Sequence, residues 1–212
     1  MGKYKNGLLG EFHGGVGSVV GATWKGISYM RSRQRTTNKP RSKAQLAQQA
    51  KFSLLQNFLL SIRAVVMLGF NSSAIKMTGI NSAYSYNYKH SITGEYPAFE
   101  LNYSKVLVSA GQLIGANDGL VTAEDDGKLK FTWTDNSDMA MANENDRCMV
   151  VVYCPEKKTS AYQTAGAMRS EGMHRINVGV YSGNAVETWL AFVSADGADV
   201  STSIYLGRVM VL

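Results

Sequence analysis

The chain has 212 residues, a formal net charge of +6 and an apolar content of 45%. That apolar content is too high for a chain disordered throughout, and the length allows one large domain or two small ones. The longest apolar stretch, 52–70, is interrupted by Gln56, Asn57 and Arg63. The N-terminus also lacks the apolar core of a signal peptide. We therefore expect no signal peptide and no transmembrane segment, and a protein that is cytoplasmic or assembled into a particle.

Charge is distributed unevenly along the chain. Residues 1–60 contain ten Lys or Arg and one acid, whereas residues 61–212 contain twelve Lys or Arg and fifteen acids. Such a division indicates an electrostatic partner for the first part: nucleic acid, an anionic surface, or the acidic part of a neighbouring copy. Within a neighbouring copy, the acidic turn Glu124–Asp126 is one candidate.

The N-terminal segment combines glycine with apolar residues. Eight of the first 26 residues are Gly, a density that permits positive φ and close backbone approach. The apolar residues between them still require burial. We therefore predict an irregular hairpin or extended arm over 7–33 that packs against something, such as another subunit. The candidate residues of this assembly arm are Phe12, Val16, Val19, Trp24 and Tyr29.

A basic, polar connector follows over residues 31–43. Its first three arginines are two residues apart, so an extended backbone places them on one face. Its last cations lie at the predicted start of a helix, where they oppose the helix dipole, so an anionic partner is favoured. A solvated connector without a partner is the alternative. The candidate polyanion- or partner-binding residues are Arg31, Arg33, Arg35, Lys39, Arg41 and Lys43.

Two helices are predicted next. Ser42 and Gln45 form a capping-box pattern, and apolar residues at a spacing of 3.6 predict one helix of about 26 residues, roughly 40 Å long, ending near Gly69. The spacing of residues 78–92 suits either a strand or a helix that begins at Thr78 or Asn81. We favour the helix, because its polar residues then share one side. The arm and both helices make up a predicted domain of residues 1–98.

From residue 99 the apolar period becomes two, which is typical of strands. Short strands with turn signals between them indicate an antiparallel sandwich over 99–212. Trp133 and the segment WLAFVSADG resemble a fibronectin type III or immunoglobulin-like domain. The predicted fold class is therefore α+β, mainly β: a Gly-rich arm or hairpin and two helices, followed by this sandwich. The predicted strands are Phe99–Val108, Lys128–Thr134, Arg147–Cys154, His174–Val180, Ala185–Ser194 and Ser201–Leu212, with turns at Asn117–Gly119, Asp126–Gly127, Ser182–Asn184 and Asp196–Gly197.

Catalytic and metal-binding patterns are scarce. His13, His90 and His174 lie in separate segments without metal-ligand spacing, and neither a nucleophile elbow nor a phosphate-binding loop is present. Cys148 and Cys154 belong to one predicted strand and are too far apart along it to form a disulfide, so we expect buried free thiols. The sequence predicts a protein that is not an enzyme, with no catalytic residue, no metal, no cofactor and no small-molecule substrate.

Several segments resemble one bacterial family. GLLGEFHGGVGSVVG at 7–21, WKGISYMRS at 24–32, AQLAQQAKF at 44–52 and SITGEYP at 91–97 are similar to a Bacteroidota family of about this length, known only as a domain of unknown function. The resemblance extends over essentially the whole chain and implies no catalytic or binding residues. His13 and Gly15 depart from the Ser and Lys that are common at these positions of the family.

These observations favour a structural protein built for assembly. We expect a homo-oligomer, or association with other assembly proteins, through the N-terminal arm, and a phage or phage-derived particle is the favoured setting. The alternative is a sequence-independent nucleic-acid-binding protein that uses the basic segment 31–51. A third class is an adhesin-like binder of peptide or glycan through the sandwich loops. No membrane partner is expected.

Overall fold

The computed structural model describes residues 2–4, 10–24, 26–34, 40–71, 77–139 and 141–212. The chain divides into two compact units, Met1–Ser42 and Lys43–Leu212. We call the first unit the arm. The division lies at residue 42 rather than at the predicted residue 98. The reason is that the helices after residue 43 share a hydrophobic core with the sandwich that follows them.

The arm is a four-stranded antiparallel sheet with its strands in chain order: β1 Lys3–Tyr4, β2 Phe12–Val16, β3 Val19–Trp24 and β4 Ile27–Ser32. Two-residue connections join β2 to β3 and β3 to β4, since Val16 pairs with Val19 and Trp24 pairs with Ile27. Gly17, in the first connection, has a φ of 58°, which glycine adopts at no steric cost. The predicted irregular hairpin is thus a pair of consecutive hairpins. Residues 7–9 and 25 of the predicted arm lie outside the described residues.

The second unit begins with helices α1 Lys43–Ser61 and α2 Arg63–Gly69. They are bent by 88°, so the predicted single helix over this stretch is wrong. At the break, the Ser61 hydroxyl donates to the Phe58 carbonyl at 2.7 Å, and the Ser61 carbonyl accepts from Ser160 Oγ at 2.6 Å. The apolar stripe continues through buried Ile62, and periodicity alone therefore does not reveal the bend.

Helix α3, Gly79–His90, confirms the helical prediction for this segment. The Thr78 side chain caps it by accepting a hydrogen bond from the Asn81 amide at 3.3 Å. Asn87 is fully buried, and its side-chain amide donates to the Leu107 carbonyl while its oxygen accepts from the Leu107 amide, both at 2.9 Å. The Asn87 side chain thus makes the pair of hydrogen bonds to the Leu107 backbone that a neighbouring strand would make.

The remainder is a two-sheet antiparallel sandwich, preceded by a short pair of strands. One sheet has the order β10-β9-β12-β13 and the other β11-β8-β7. This arrangement is that of immunoglobulin-like and fibronectin type III sandwiches, and it confirms the predicted α+β, mainly β class. The strands are β5 Ile92–Thr93, β6 Glu100–Leu101, β7 Asn117–Glu124, β8 Lys128–Thr134, β9 Arg147–Cys154, β10 Thr159–Gln163, β11 Met173–Asn177, β12 Ala185–Val193 and β13 Ile204–Met210.

Strand β9 is buried on both faces because it lies between two hydrophobic cores. Its odd-numbered residues from Met149 to Tyr153 pack with the helices, and Phe58 of α1 contacts Tyr153 with ring centroids 4.9 Å apart. Its even-numbered residues from Cys148 to Cys154 pack with Phe131 of the other sheet. Both cysteines are free and buried, as predicted. Helices, the four-stranded sheet and the three-stranded sheet therefore form three layers.

Several strand and turn predictions differ from the structure. The predicted strand Phe99–Val108 contains only the short β6 and a 3₁₀ turn at Tyr103–Lys105. At the end of this segment a side chain takes the place of a strand partner. The Val108 amide donates a hydrogen bond to Ser203 Oγ at 3.0 Å. The predicted turn Asn117–Gly119 belongs to β7, where a register shift and a φ of 52° at Asp118 accommodate turn-type residues as a bulge. Strands β7 and β10 were not predicted. The predicted strand His174–Val180 is also too long, because β11 ends at Asn177 and a 3₁₀ turn follows at Gly179–Tyr181.

A buried arginine joins the connections at one end of the sandwich. Arg169 is fully buried and pairs with Asp146 at 3.1 Å. Its guanidinium also donates to Asn136 Oδ1 at 2.6 Å and to the Ile114 carbonyl at 2.9 Å, and it lies 3.9 Å from the ring centroid of Phe192. A buried charge is tolerated only when it is paired and hydrogen-bonded, and these contacts fulfil that condition.

Candidate functional site

The arm ends in an exposed edge strand. All six residues of β4 are exposed, including Ile27 at 65%, Tyr29 at 45% and Met30 at 71%. Among the described strands β4 pairs only with β3, and Arg31 is its sole charged residue. Natural proteins usually protect such an edge with Lys, Pro or a covering element, because an open edge pairs readily with another chain. Strand β4 contains neither Lys nor Pro.

Cross-strand pairing places members of both predicted residue sets on one face of the arm. Directly opposed residues of an antiparallel pair share a face, and Trp24 opposes Ile27 while Val20 opposes Arg31. Tyr29 lies between Ile27 and Arg31 in the alternation, so it joins them. The Arg33 amide continues the pairing by donating to the Ser18 carbonyl at 2.7 Å. We call Trp24, Ile27, Tyr29, Arg31 and Arg33 the aromatic-basic face.

The other three predicted arm residues belong to the opposite face. Val16 opposes Val19 there, and the Phe12 ring lies over Gly21. A Cβ at position 21 would come within 2.8 Å of that ring and 2.1 Å of the Phe12 carbonyl oxygen, so glycine is required for this packing. Phe12 and Val19 are half-buried on this face.

The remaining predicted basic residues are divided between the two units. Arg41 lies at the end of the arm unit and Lys43 begins α1, and both are exposed. Arg35 and Lys39 lie outside the described residues. The structure therefore brings together Arg31 and Arg33 of the predicted basic set. Sequence reasoning missed Ile27 and Met30. The two-residue connection ending in Gly26, which typically joins hairpin strands, is the signal that places them in a strand.

Of the groups with nucleophilic or acid–base chemistry, Cys148 and His174 lie near each other. Both approach the position of a Cβ on Gly166, at 2.6 Å for Cys148 Sγ and 3.0 Å for His174 Cε1. Burial raises the pKa of the Cys148 thiol to about 12, which leaves it un-ionised at neutral pH. His174 Nδ1 accepts from the Ala167 amide at 3.3 Å, and Nε2 lies 2.9 Å from Gln163 Oε1. Both ring nitrogens thus have structural partners.

Within the described ranges, no three His, Cys, Asp or Glu side chains are grouped so as to hold a metal ion. In the same part of the chain, no single helix is long and apolar enough to cross a membrane. Helices α1 and α2 reach that length and composition only as a pair, across their 88° bend.

Comparison with known proteins identifies the family. The model of a family of unknown function, DUF6266, matches residues 11–207. The chain belongs to this family. Among solved structures, the fibronectin type III domain of the human collagen α-1(XX) chain is similar to it at 10% identity and a TM-score of 0.35. That match covers 49% of this chain and 90% of the collagen domain. No curated protein matches the chain.

Proposed function

We propose that this protein is a non-enzymatic structural protein that self-associates through its N-terminal arm. The exposed β4 edge carries the proposal, because it presents apolar side chains on both faces, with Ile27 and Tyr29 on one and Met30 on the other. Full burial of such a side chain contributes about 1.5–3 kcal/mol, whereas an exposed ion pair contributes about 0–1 kcal/mol. The apolar residues of β4, rather than Arg31, therefore supply most of the association energy.

A phage or phage-derived particle of Bacteroidota is the setting that we propose for this assembly. Its support is the layout of the chain, a small arm with an exposed edge joined to a sandwich, together with the resemblance of segments 7–21 and 24–32. The layout supports this setting by analogy of architecture, and proteins that share an architecture can differ in function. Purified particles offer a direct test. Mass spectrometry of a virion fraction from a host that encodes the protein should detect it at structural stoichiometry, and its absence would reject this setting.

Full-length protein tests self-association. Ile27→Lys with Met30→Lys places a charge on each face of β4 and should convert oligomers to monomers at tens of micromolar, as measured by light scattering after gel filtration. The matched control is Leu120→Lys with Val180→Lys, which replaces similarly exposed apolar residues of the sandwich. The control should assemble like the unmodified protein. A monomeric unmodified protein, or an assembled β4 variant, would reject the proposal.

A second candidate is sequence-independent binding of single-stranded nucleic acid. Here the supporting observation is that Tyr29 lies beside Arg31 and Arg33 on the aromatic-basic face, since single strands bind to aromatic planes flanked by cations. Binding of a labelled oligothymidine should weaken steeply with salt. Changing Arg31→Ser and Arg33→Ser should flatten the log–log salt slope by roughly 1.4. An unchanged slope would reject this candidate.

A further inference from the structure

Four connections of the sandwich meet at one end. The Leu113 amide donates to the Val200 carbonyl at 3.1 Å, and the Ser170 amide donates to the Glu144 carbonyl at 3.3 Å. Arg169 and Asn136 join the same connections, as described above. We call this surface, formed by segments 110–118, 135–139, 141–146, 164–172 and 194–203, the loop end. In antibody variable domains the loops at one end of the sandwich are the ones that bind a partner.

The loop end is acidic and bears exposed apolar side chains. Among its described residues and the adjoining start of β9, Arg147 is the sole exposed cation, because Arg169 is buried against Asp146. Met139 and Met141 are 46% and 59% exposed, and methionine adapts its shape to a partner surface. The exposed carboxylates are those of Asp118, Asp135, Asp138, Glu144, Glu171, Asp196 and Asp199.

The opposite end of the sandwich has no comparable excess of negative charge. Its acidic turn, Glu124–Asp126, was a predicted partner for the basic segment. Arg175 pairs with Glu124 at 2.8 Å and, with the nearby Lys128 and Lys130, holds the pKa of that carboxyl below its usual value. Lys157 and Lys158, together with Glu156, lie in the connection between β9 and β10 at the same end. This end is therefore close to electrically balanced.

The arm has the complementary composition. Residues 1–42 contain eight Lys or Arg and a single acid, Glu11. Two arms paired edge to edge through β4 would bring like charges together, which opposes association.

An arm placed on the loop end brings opposite charges together and covers Met139 and Met141 with Ile27 and Tyr29. We propose that the aromatic-basic face of one copy docks on the loop end of a second copy, an inference that rests on the proposed function. Such a head-to-tail contact builds rings or filaments.

Charge reversal at each end of the sandwich tests this contact in nuclease-treated full-length protein. Asp138→Lys with Glu144→Lys alters the loop end at exposed carboxylates. Asp125→Lys with Glu156→Lys makes the same charge change at the opposite end and serves as the control. The loop-end variant should raise the dissociation constant for self-association at least tenfold at low salt. The control should change it less than threefold. Thermal unfolding of both variants verifies that each remains folded.

Mixing two defective proteins distinguishes the docking modes. The arm variant Ile27→Ser with Arg31→Ser retains an intact loop end, and the loop-end variant retains an intact arm. Each should be monomeric alone. A one-to-one mixture should give heterodimers and nothing larger, because only one productive contact is possible. Pairing between two arms would not be restored in this mixture.

Three results would overturn the inference. If the loop-end variant assembles like the unmodified protein while the arm variant does not, the arm docks on a surface other than the loop end. The inference is then rejected and the proposed function stands. Assembly of the arm variant would reject both. Loss of all association from the unmodified protein on nuclease treatment would show that a polyanion, rather than the loop end, bridges the copies.

Discussion

Strands β4 and β9 are both rich in apolar residues, yet their surroundings are opposite. Every residue of β4 is exposed, whereas in β9 only Arg147 is. The arm has few residues with which to cover a strand, while β9 has the helices on one side and the second sheet on the other. Stability is therefore concentrated in Lys43–Leu212, and the arm keeps apolar side chains available for a partner.

The largest expected contrast between the two units involves arginine. Arg169→Ala leaves Asp146 as an unpaired buried charge and removes the donors to Asn136 and Ile114, which should lower the free energy of unfolding by about 3–5 kcal/mol or more. Arg33→Ala removes an exposed arginine of the arm and should change the free energy of unfolding by less than about 0.5 kcal/mol. Urea unfolding of both variants measures the difference. Equal effects would contradict the division into a stable unit and an exposed arm.

Phenylalanine gives a second, slightly smaller contrast. Phe58 is 1% exposed and contacts the rings of Tyr153 and Trp189, so Phe58→Ala should cost about 3–5 kcal/mol. Phe12 is only half-buried over Gly21, and Phe12→Ala should leave the main unfolding transition almost unchanged. Near-UV circular dichroism during thermal unfolding follows that transition. A large shift from the arm variant would show that the two units unfold together.

The smallest expected effect is a pH dependence that arises in the sandwich alone. Burial lowers the pKa of His174, and Glu171 partly opposes this. Nδ1 accepts the Ala167 amide hydrogen only when the ring is neutral. The stabilisation by neutral His174 is therefore complete above its unfolded pKa of about 6.5 and is lost as pH falls through the lower folded value.

His174→Gln removes this titration. The difference in unfolding free energy between the unmodified protein and the variant should therefore shrink as pH decreases from 7 toward 5. Chemical denaturation at several pH values measures it. A difference that stays constant over this range would show that His174 does not titrate in this interval.

Much of the sandwich was predictable because its strands are continuous apolar runs or alternate regularly. Strands β8 and β9 have the predicted limits, and Thr78 correctly marks the start of α3. The bend at Ile62 was not predictable, since the apolar stripe continues through it and the Ser160 side chain that binds the Ser61 carbonyl there is distant in sequence. Strand β10 was missed because its sequence, TSAYQ, is mostly polar.

The candidate site was only partly predictable for a similar reason. Sequence spacing placed Arg31 and Arg33 on one face, but only the strand register adds Trp24 to that face. The charge of the loop end is dispersed over four segments of the chain, and the topology of the sandwich brings them together. No local pattern indicates such a surface.

Asn87 has a consequence for hydrogen exchange. It binds both the amide and the carbonyl of Leu107, a residue outside any regular element. The Leu107 amide should therefore exchange with solvent at a rate set by separation of α3 from this segment, rather than at the fast rate of an open loop. Exchange at this one amide would thus report how often the helical layer lifts locally from the segment beneath it.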